Sequence, residues 1–134
     1  MRKSTILHGY GSFRRVFSEG RRIEADILRG ICRTTSDERS SCRIGISVRS
    51  RAWNAVHRNT IKRRIRASLD GHVPALERAL EKRGVALELV ITNRPVRDHD
   101  APPYSFRLIH ADVVTIVEEV VKRVCRDWPQ RSSA

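Results

Sequence analysis

In the stretch CRIGISV, Ile44, Ile46 and Val48 alternate with Arg43, Gly45 and Ser47. A period of two is what a strand with one apolar and one polar face requires. A few residues later the period changes: over residues 54–69, Ile61, Ile65 and Leu69 recur every four positions, which predicts a helix with one narrow apolar stripe. Asp70, Gly71 and Pro74 break it. PALERALEKRG, residues 74–84, predicts a second, short amphipathic helix closed by Gly84. VALELVIT has the length and β-branched content of a buried strand, and NRPVRDHDAPPY, with three prolines, reads as a loop. The longest element is SFRLIHADVVTIVEEVVKRVCRDW, where Val113, Val117, Val120 and Val124 fall at i, i+4, i+7 and i+11 before Pro129 ends the pattern.

Toward the N-terminus the signals are shorter. Residues 1–11 read as an irregular arm, Ser12 as an N-cap, and Phe13, Val16 and Phe17 as one face of a first helix stopped at Gly20. RIEADILRGICRT reads as a single moderately β-like segment, followed by the polar loop TSDERSS. The resulting order is α, β, β, α, α, β, α in one domain over residues 12–128, with residues 129–134 as a disordered tail. That order argues an α+β sandwich with one sheet face under helices and the other open. At 134 residues the chain suits one modest core, and it shows neither an internal repeat nor a linker.

Charge changes the picture more than composition does. The net charge of +12 exceeds what solubility needs and favours a polyanionic partner such as RNA, DNA or an acidic membrane surface. It is also segregated: no acidic residue lies between Glu38 and Asp70, while nine Lys and Arg residues do. Five of those nine sit in RNTIKRRIR. On a helical wheel Arg58, Asn59, Lys62, Arg63 and Arg66 line one flank of the isoleucine stripe, and Arg64 lies beyond the other. A solvated helix face is the ordinary reading of a charge run. Here, however, Arg58, Lys62 and Arg66 are like charges at i, i+4 spacing, which repel by roughly 0.5 kcal/mol per pair unless a polyanion screens them. Asn59 either contacts phosphate or base edges or is simply exposed. Phe13 and Phe17 either anchor the first helix in the core or stand in a cleft where unpaired nucleotides stack. The remaining rings, Tyr10, Trp53, Tyr104, Phe106 and Trp128, read as packing residues.

Self-sufficient catalysis finds no support in the sequence. The five histidines are scattered, and Cys32, Cys42 and Cys125 are odd in number and unpaired in spacing. They read as small apolar residues of a protein in a reducing compartment, with no zinc site. Phosphate-loop and nucleophile-elbow motifs are missing, as is a carboxylate cluster in the basic interval. Asp98, His99 and Asp100 could be imagined as a metal or acid/base site but suit a Pro-rich turn. No run suits a signal peptide or a membrane span, so a soluble, cytoplasmic protein is expected.

CRIGISVRSRAWNAVHRNTIKRRIR resembles the signature of the bacterial ribonuclease P protein subunit: a Gly-Ile-Ser-Val strand, then an Ala-Val-x-Arg-Asn-x-Ile-Lys-Arg-x-Ile-Arg helix. GSFRRVFSEGRR resembles that family's first helix, and LELVITNRPV and the valine-rich helix match its last strand and helix in order. The likeness covers about residues 6–126. It implies a left-handed β-α-β crossover within the α+β fold and a role as protein partner of a catalytic RNA. That RNA removes the 5′ leader of precursor tRNA by magnesium-dependent hydrolysis. Magnesium would be held mainly by the RNA, with no organic cofactor, no protein catalytic residue, no membrane and no obligate protein partner.

By matching position, the resemblance implies RNA contacts from Arg49, Arg51, Arg58, Asn59, Lys62, Arg63 and Arg66. It implies a leader cleft of Phe13, Phe17 and Ser47. Three positions depart from the family pattern. Thr60 stands at the third position of the usual Arg-Asn-Arg triplet, where one cation is thus absent, Trp53 where glycine is frequent, and Ile31 where an aromatic is expected to stack on the leader. The competing reading is a ribosomal or general RNA-binding protein with no part in tRNA processing; a protein-only nuclease would need the missing carboxylates.

Overall fold

A computed structural model describes residues 5–49, 53–95 and 105–130. The elements are α1 (Tyr10–Glu19), β1 (Arg21–Glu24), β2 (Leu28–Ser36), β3 (Ser41–Ser47), α2 (Ala55–Asp70), α3 (Val73–Glu81), β4 (Val85–Asn93) and α4 (Phe106–Asp127). They form the expected small α+β domain, with a mixed four-stranded sheet ordered β1-β2-β4-β3. β1 and β4 both run antiparallel to β2, whereas β3 and β4 are parallel. Parallel neighbours cannot be joined by a tight turn. The β-α-β crossover is therefore the passage from β3 through α2 and α3 to β4.

Alternation along the strands divides the sheet into two faces. Leu28 and Cys32 of β2, Cys42 and Ile44 of β3, and Leu87, Leu89 and Ile91 of β4 point to the side covered by α2, α3 and α4. There they meet Ile61, Ile65 and Leu69, Leu76 and Leu80, and the apolar stripe of α4 from Ile109 to Val124. On the opposite face Ile31 and Val90 pack with Leu7 and Val16, so α1 lies across a face otherwise left open. Caps fix the two long helices at their starts. Asn54 accepts from the His57 amide at 2.9 Å and Ser105 from the Leu108 amide at 3.3 Å.

The expected order is corrected at one place. RIEADILRGICRT is two strands, because the chain reverses over Ala25–Ile27 and the Ala25 amide closes the hairpin on the Leu28 carbonyl at 3.0 Å. The buried Asp112 carboxylate of α4 receives the Ile27 and Leu28 amides at 2.7 and 3.0 Å, satisfying two donors that the turn leaves over. The N-terminal arm also differs from expectation. Gly9, not Ser12, precedes the first helix, and Ile6 forms a parallel bridge to Ile44 that partly covers the outer edge of β3. Trp53 is buried, as a packing residue should be, while Tyr10 and Phe106 are exposed. Cys32 and Cys42 are buried, whereas Cys125 is exposed.

Candidate nucleic-acid interface

α2 is held by its stripe. Ile61, Ile65 and Leu69 are fully buried, while Asn59, Arg63 and Arg66 are exposed and Arg58 and Lys62 half-buried. Among the described residues, Lys62, Arg63 and Arg66 make no ion pair and the Asn59 carboxamide no hydrogen bond. Their charge and donors are thus available to a ligand. Arg58 differs, since its Nη1 donates to the Trp53 carbonyl and fastens the chain entering the helix. Thr60 turns its hydroxyl back to the Val56 carbonyl at 2.9 Å, an i−4 bond within its own helix. It does not replace the missing cation.

The face of the sheet that α1 crosses holds the predicted cleft residues together. The tip of the Phe13 ring sits against Gly45: a Cβ at that position would stand 2.5 Å from Phe13 Cζ, so any larger residue must displace the ring. Phe17 lies under the Arg49 guanidinium, whose carbon is 5.2 Å from the ring centroid, and Arg49 Nε donates to Ser47 Oγ at 3.2 Å. Arg49 is itself fixed by the buried Asn93. The Asn93 carboxamide accepts from the Arg49 amide and donates to the Arg49 carbonyl, both at 2.7 Å. A cleft of about 120 Å³ between Ile6, Phe13, Gly45 and Ile46 includes Arg66 among its walls. The far end of the α2 ridge therefore meets the near end of the aromatic cleft.

Elsewhere on this face Arg15 and Arg33 are neutralised. Glu88 of β4 receives Arg15 of α1 and Arg33 of β2, each at 2.8 Å, and Arg33 also reaches Glu19 at 2.8 Å. Hydrogen bonding to Glu88 raises the Arg15 pKa above its ordinary value. Arg15 and Glu19, one turn apart, thus strap the outer flank of α1 to the two central strands. Across the sheet Arg43 pairs in register with Glu88 yet is exposed and, among the described residues, has no partner. Arg29 and Arg33 of β2 are thus paired, whereas among the described residues Arg43 of β3 and Lys62, Arg63 and Arg66 of α2 make no ion pair.

A family model described as Ribonuclease P matches residues 1–102, three quarters of the chain. The chain belongs to the ribonuclease P protein family. Among solved structures, the ribonuclease P protein of Staphylococcus aureus is 21% identical, with a TM-score of 0.62 over 90% of this chain and 97% of that one. The Thermotoga maritima protein is 18% identical, with a TM-score of 0.62 over 85% and 96%. The latter protein has also been solved with 1-(4-fluorophenyl)-2-thiourea, and that chain is 19% identical over 79% of this one with a TM-score of 0.57. These structures share the fold; the family match identifies the chain as a ribonuclease P protein subunit, a component of the tRNA-processing complex. No curated protein matches the chain at a significant level.

Against that family's pattern, the structure brings Phe13, Phe17, Ser47, Arg49 and Arg66 to one continuous region and sets Asn59, Lys62 and Arg63 along the adjoining ridge. Arg51 lies outside the described residues, as do Asp98, His99 and Asp100. Ile31 is buried beneath α1 beside Val90, so a larger ring there would compete with α1 packing before it could reach a ligand. Sequence reasoning missed Asn93 and Glu88, whose roles depend on strands distant in the chain. Only the lone acid in VALELVIT hinted at Glu88. Among the described residues no three His, Cys, Asp or Glu side chains gather to hold a metal ion, and no helix is long and apolar enough to cross a membrane.

Proposed function

We propose that this subunit binds the catalytic RNA through Arg58, Asn59, Lys62, Arg63 and Arg66, with Arg49 and Arg51 beside them, and the 5′ leader of precursor tRNA through Phe13, Phe17 and Ser47. The observation that carries the reading is the shared wall of Arg66 and Phe13, which joins a cationic ridge to an aromatic cleft. Lys62, Arg63 and Arg66, which make no ion pair among the described residues, gain by releasing counterions from phosphates, and half-buried rings offer stacking faces to unpaired bases.

Hydrolysis and the magnesium ions that assist it belong, in this reading, to the RNA subunit, as the family resemblance implies. The protein's part is electrostatic: it lowers the repulsion between catalytic RNA and leader and so favours their approach. Precursor tRNA as substrate places the complex in the cytoplasm. The test is affinity at matched salt in the presence of the RNA subunit. Precursor tRNA should bind more tightly than mature tRNA, and Phe17→Ala should narrow the difference; equal affinities would instead favour a general RNA-binding role.

A further inference from the structure

The first turn of α4 leaves a large ring in solvent, Phe106 being 45% exposed. It does not stand alone. The ring stacks on His110 one turn further on, with centroids 5.7 Å apart and planes inclined by 14°. His110 in turn approaches His72, which precedes α3, at 6.1 Å and 33°. His110 Nδ1 lies 3.3 Å from Ser68 Oγ of α2, which ties the column to the core. A single exposed apolar side chain needs no explanation. Phe106, however, is the outermost of three planar rings whose middle member, His110, is held at Ser68, so stacking restricts its rotamers before any ligand arrives.

We propose that the outer face of Phe106 stacks an unpaired nucleobase of RNA, making the corner between α2, α3 and α4 a second RNA contact separate from the ridge and the aromatic cleft. The chemistry around it favours an anionic, planar ligand. Neither α3 nor α4 carries an acidic residue in its first turn, and the neighbouring Arg107 is exposed. The nearest acid on α4, Asp112, is buried and occupied by the Ile27 and Leu28 amides. From α2, Arg64 and Asp70 both have partners within the protein. Leu108, the other exposed apolar side chain of this turn, is two residues on and so on a different side of the helix, which leaves one ring beside Arg107 and two imidazoles, short of the broad greasy core an apolar protein interface needs. Ser68 lies on the buried side of α2, away from Asn59 and Arg63, so the RNA bound here would be a different segment from the one on the ridge.

The inference rests on the chain's family and goes beyond the contacts proposed above. Full-length Phe106→Ala, Phe106→Leu and Phe106→Trp would be compared by filter binding to a transcript of bacterial ribonuclease P RNA, and to precursor tRNA as reconstituted holoenzyme. The two arms distinguish which RNA supplies the base. Ala and Leu should weaken one of them by about five-fold or more, the loss expected when a base gives up its platform, while Trp retains affinity. Melting temperature and the salt dependence of binding should not change, since neither core packing nor a phosphate contact is removed. Wild-type affinity of the Leu variant for both RNAs would overturn the proposal, as would sedimentation showing that Phe106 instead mediates self-association. Loss of binding in Arg63→Ala/Arg66→Ala with none at Phe106 would sink this inference and leave the ridge assignment intact; loss in neither would remove both.

Discussion

Gly45→Ala puts the geometry of the aromatic cleft to a quantitative test. A methyl group there would stand 2.5 Å from Phe13 Cζ, 2.7 Å from Phe13 Cε1 and 3.3 Å from Leu7 Cβ. The ring must move, and because Phe13 is half-buried it can swing toward solvent rather than push the strand. The stability cost should therefore fall at the lower end of overpacking, about 1 kcal/mol. For a domain of this size that lowers the melting temperature by roughly 4 °C. The functional cost should be larger relative to background, since a displaced ring forfeits stacking worth ~1–3 kcal/mol per base. Urea denaturation measures the first quantity. Holoenzyme affinity for precursor relative to mature tRNA measures the second. In a Phe13→Ala background the ring clash is gone, so Gly45→Ala should become nearly neutral in both assays and the cycle should show coupling of about 1 kcal/mol. An unchanged cost in that background, or wild-type leader discrimination in Gly45→Ala, would refute the reasoning.

Other consequences follow from the same contacts. Arg63→Ala/Arg66→Ala should weaken binding of ribonuclease P RNA and lower the log-log salt slope by roughly 0.7 to 0.9 per lost phosphate contact, read by titration across salt concentrations. Asp112→Ala should destabilise the fold by about 3 kcal/mol in urea, because it orphans two backbone donors at the β1–β2 turn. Burial pushes the Cys42 thiol up to about 12, and burial also raises Cys32, so iodoacetamide at pH 9 should label Cys125 and spare both, as mass spectrometry would show. The raised Cys42 value also means that its neutral thiol favours the folded state below the unfolded pKa of about 8.5, a contribution lost as pH rises toward the folded value. Urea midpoints above neutrality should accordingly fall less steeply with pH in Cys42→Ala than in the wild type.

Periodicity made much of this fold legible. α2 begins after Asn54 and buries Ile61, Ile65 and Leu69 because the three share one face of a helix, whereas a strand would turn Arg63 to the core beside them. The hairpin of β1 and β2 was not legible. Ile23, Leu28 and Cys32 reach the same side of the sheet only because the chain turns between them, and the acid that stabilises the turn is Asp112, more than eighty residues away. The site divided in the same manner. The ridge shows in the wheel because it lies within one helix. The cleft does not show in periodicity, and only the family resemblance grouped Phe13, Phe17 and Ser47, because Phe17 meets Arg49, Asn93 fixes Arg49, and Glu88 straps α1 only once β4 stands beside β2 and β3 in the sheet. Like-charge spacing showed that Arg58 and Lys62 were poorly matched to each other, but not that Arg58 would reach the Trp53 carbonyl.

We propose, above all, that this protein serves a catalytic RNA and does not itself cut. The most direct test is cleavage of precursor tRNA at low magnesium by bacterial ribonuclease P RNA, with and without the purified chain, beside the chain alone. The account predicts leader removal only when RNA and protein are combined. Cleavage by the protein alone, or an RNA whose activity the protein leaves unchanged, would contradict it.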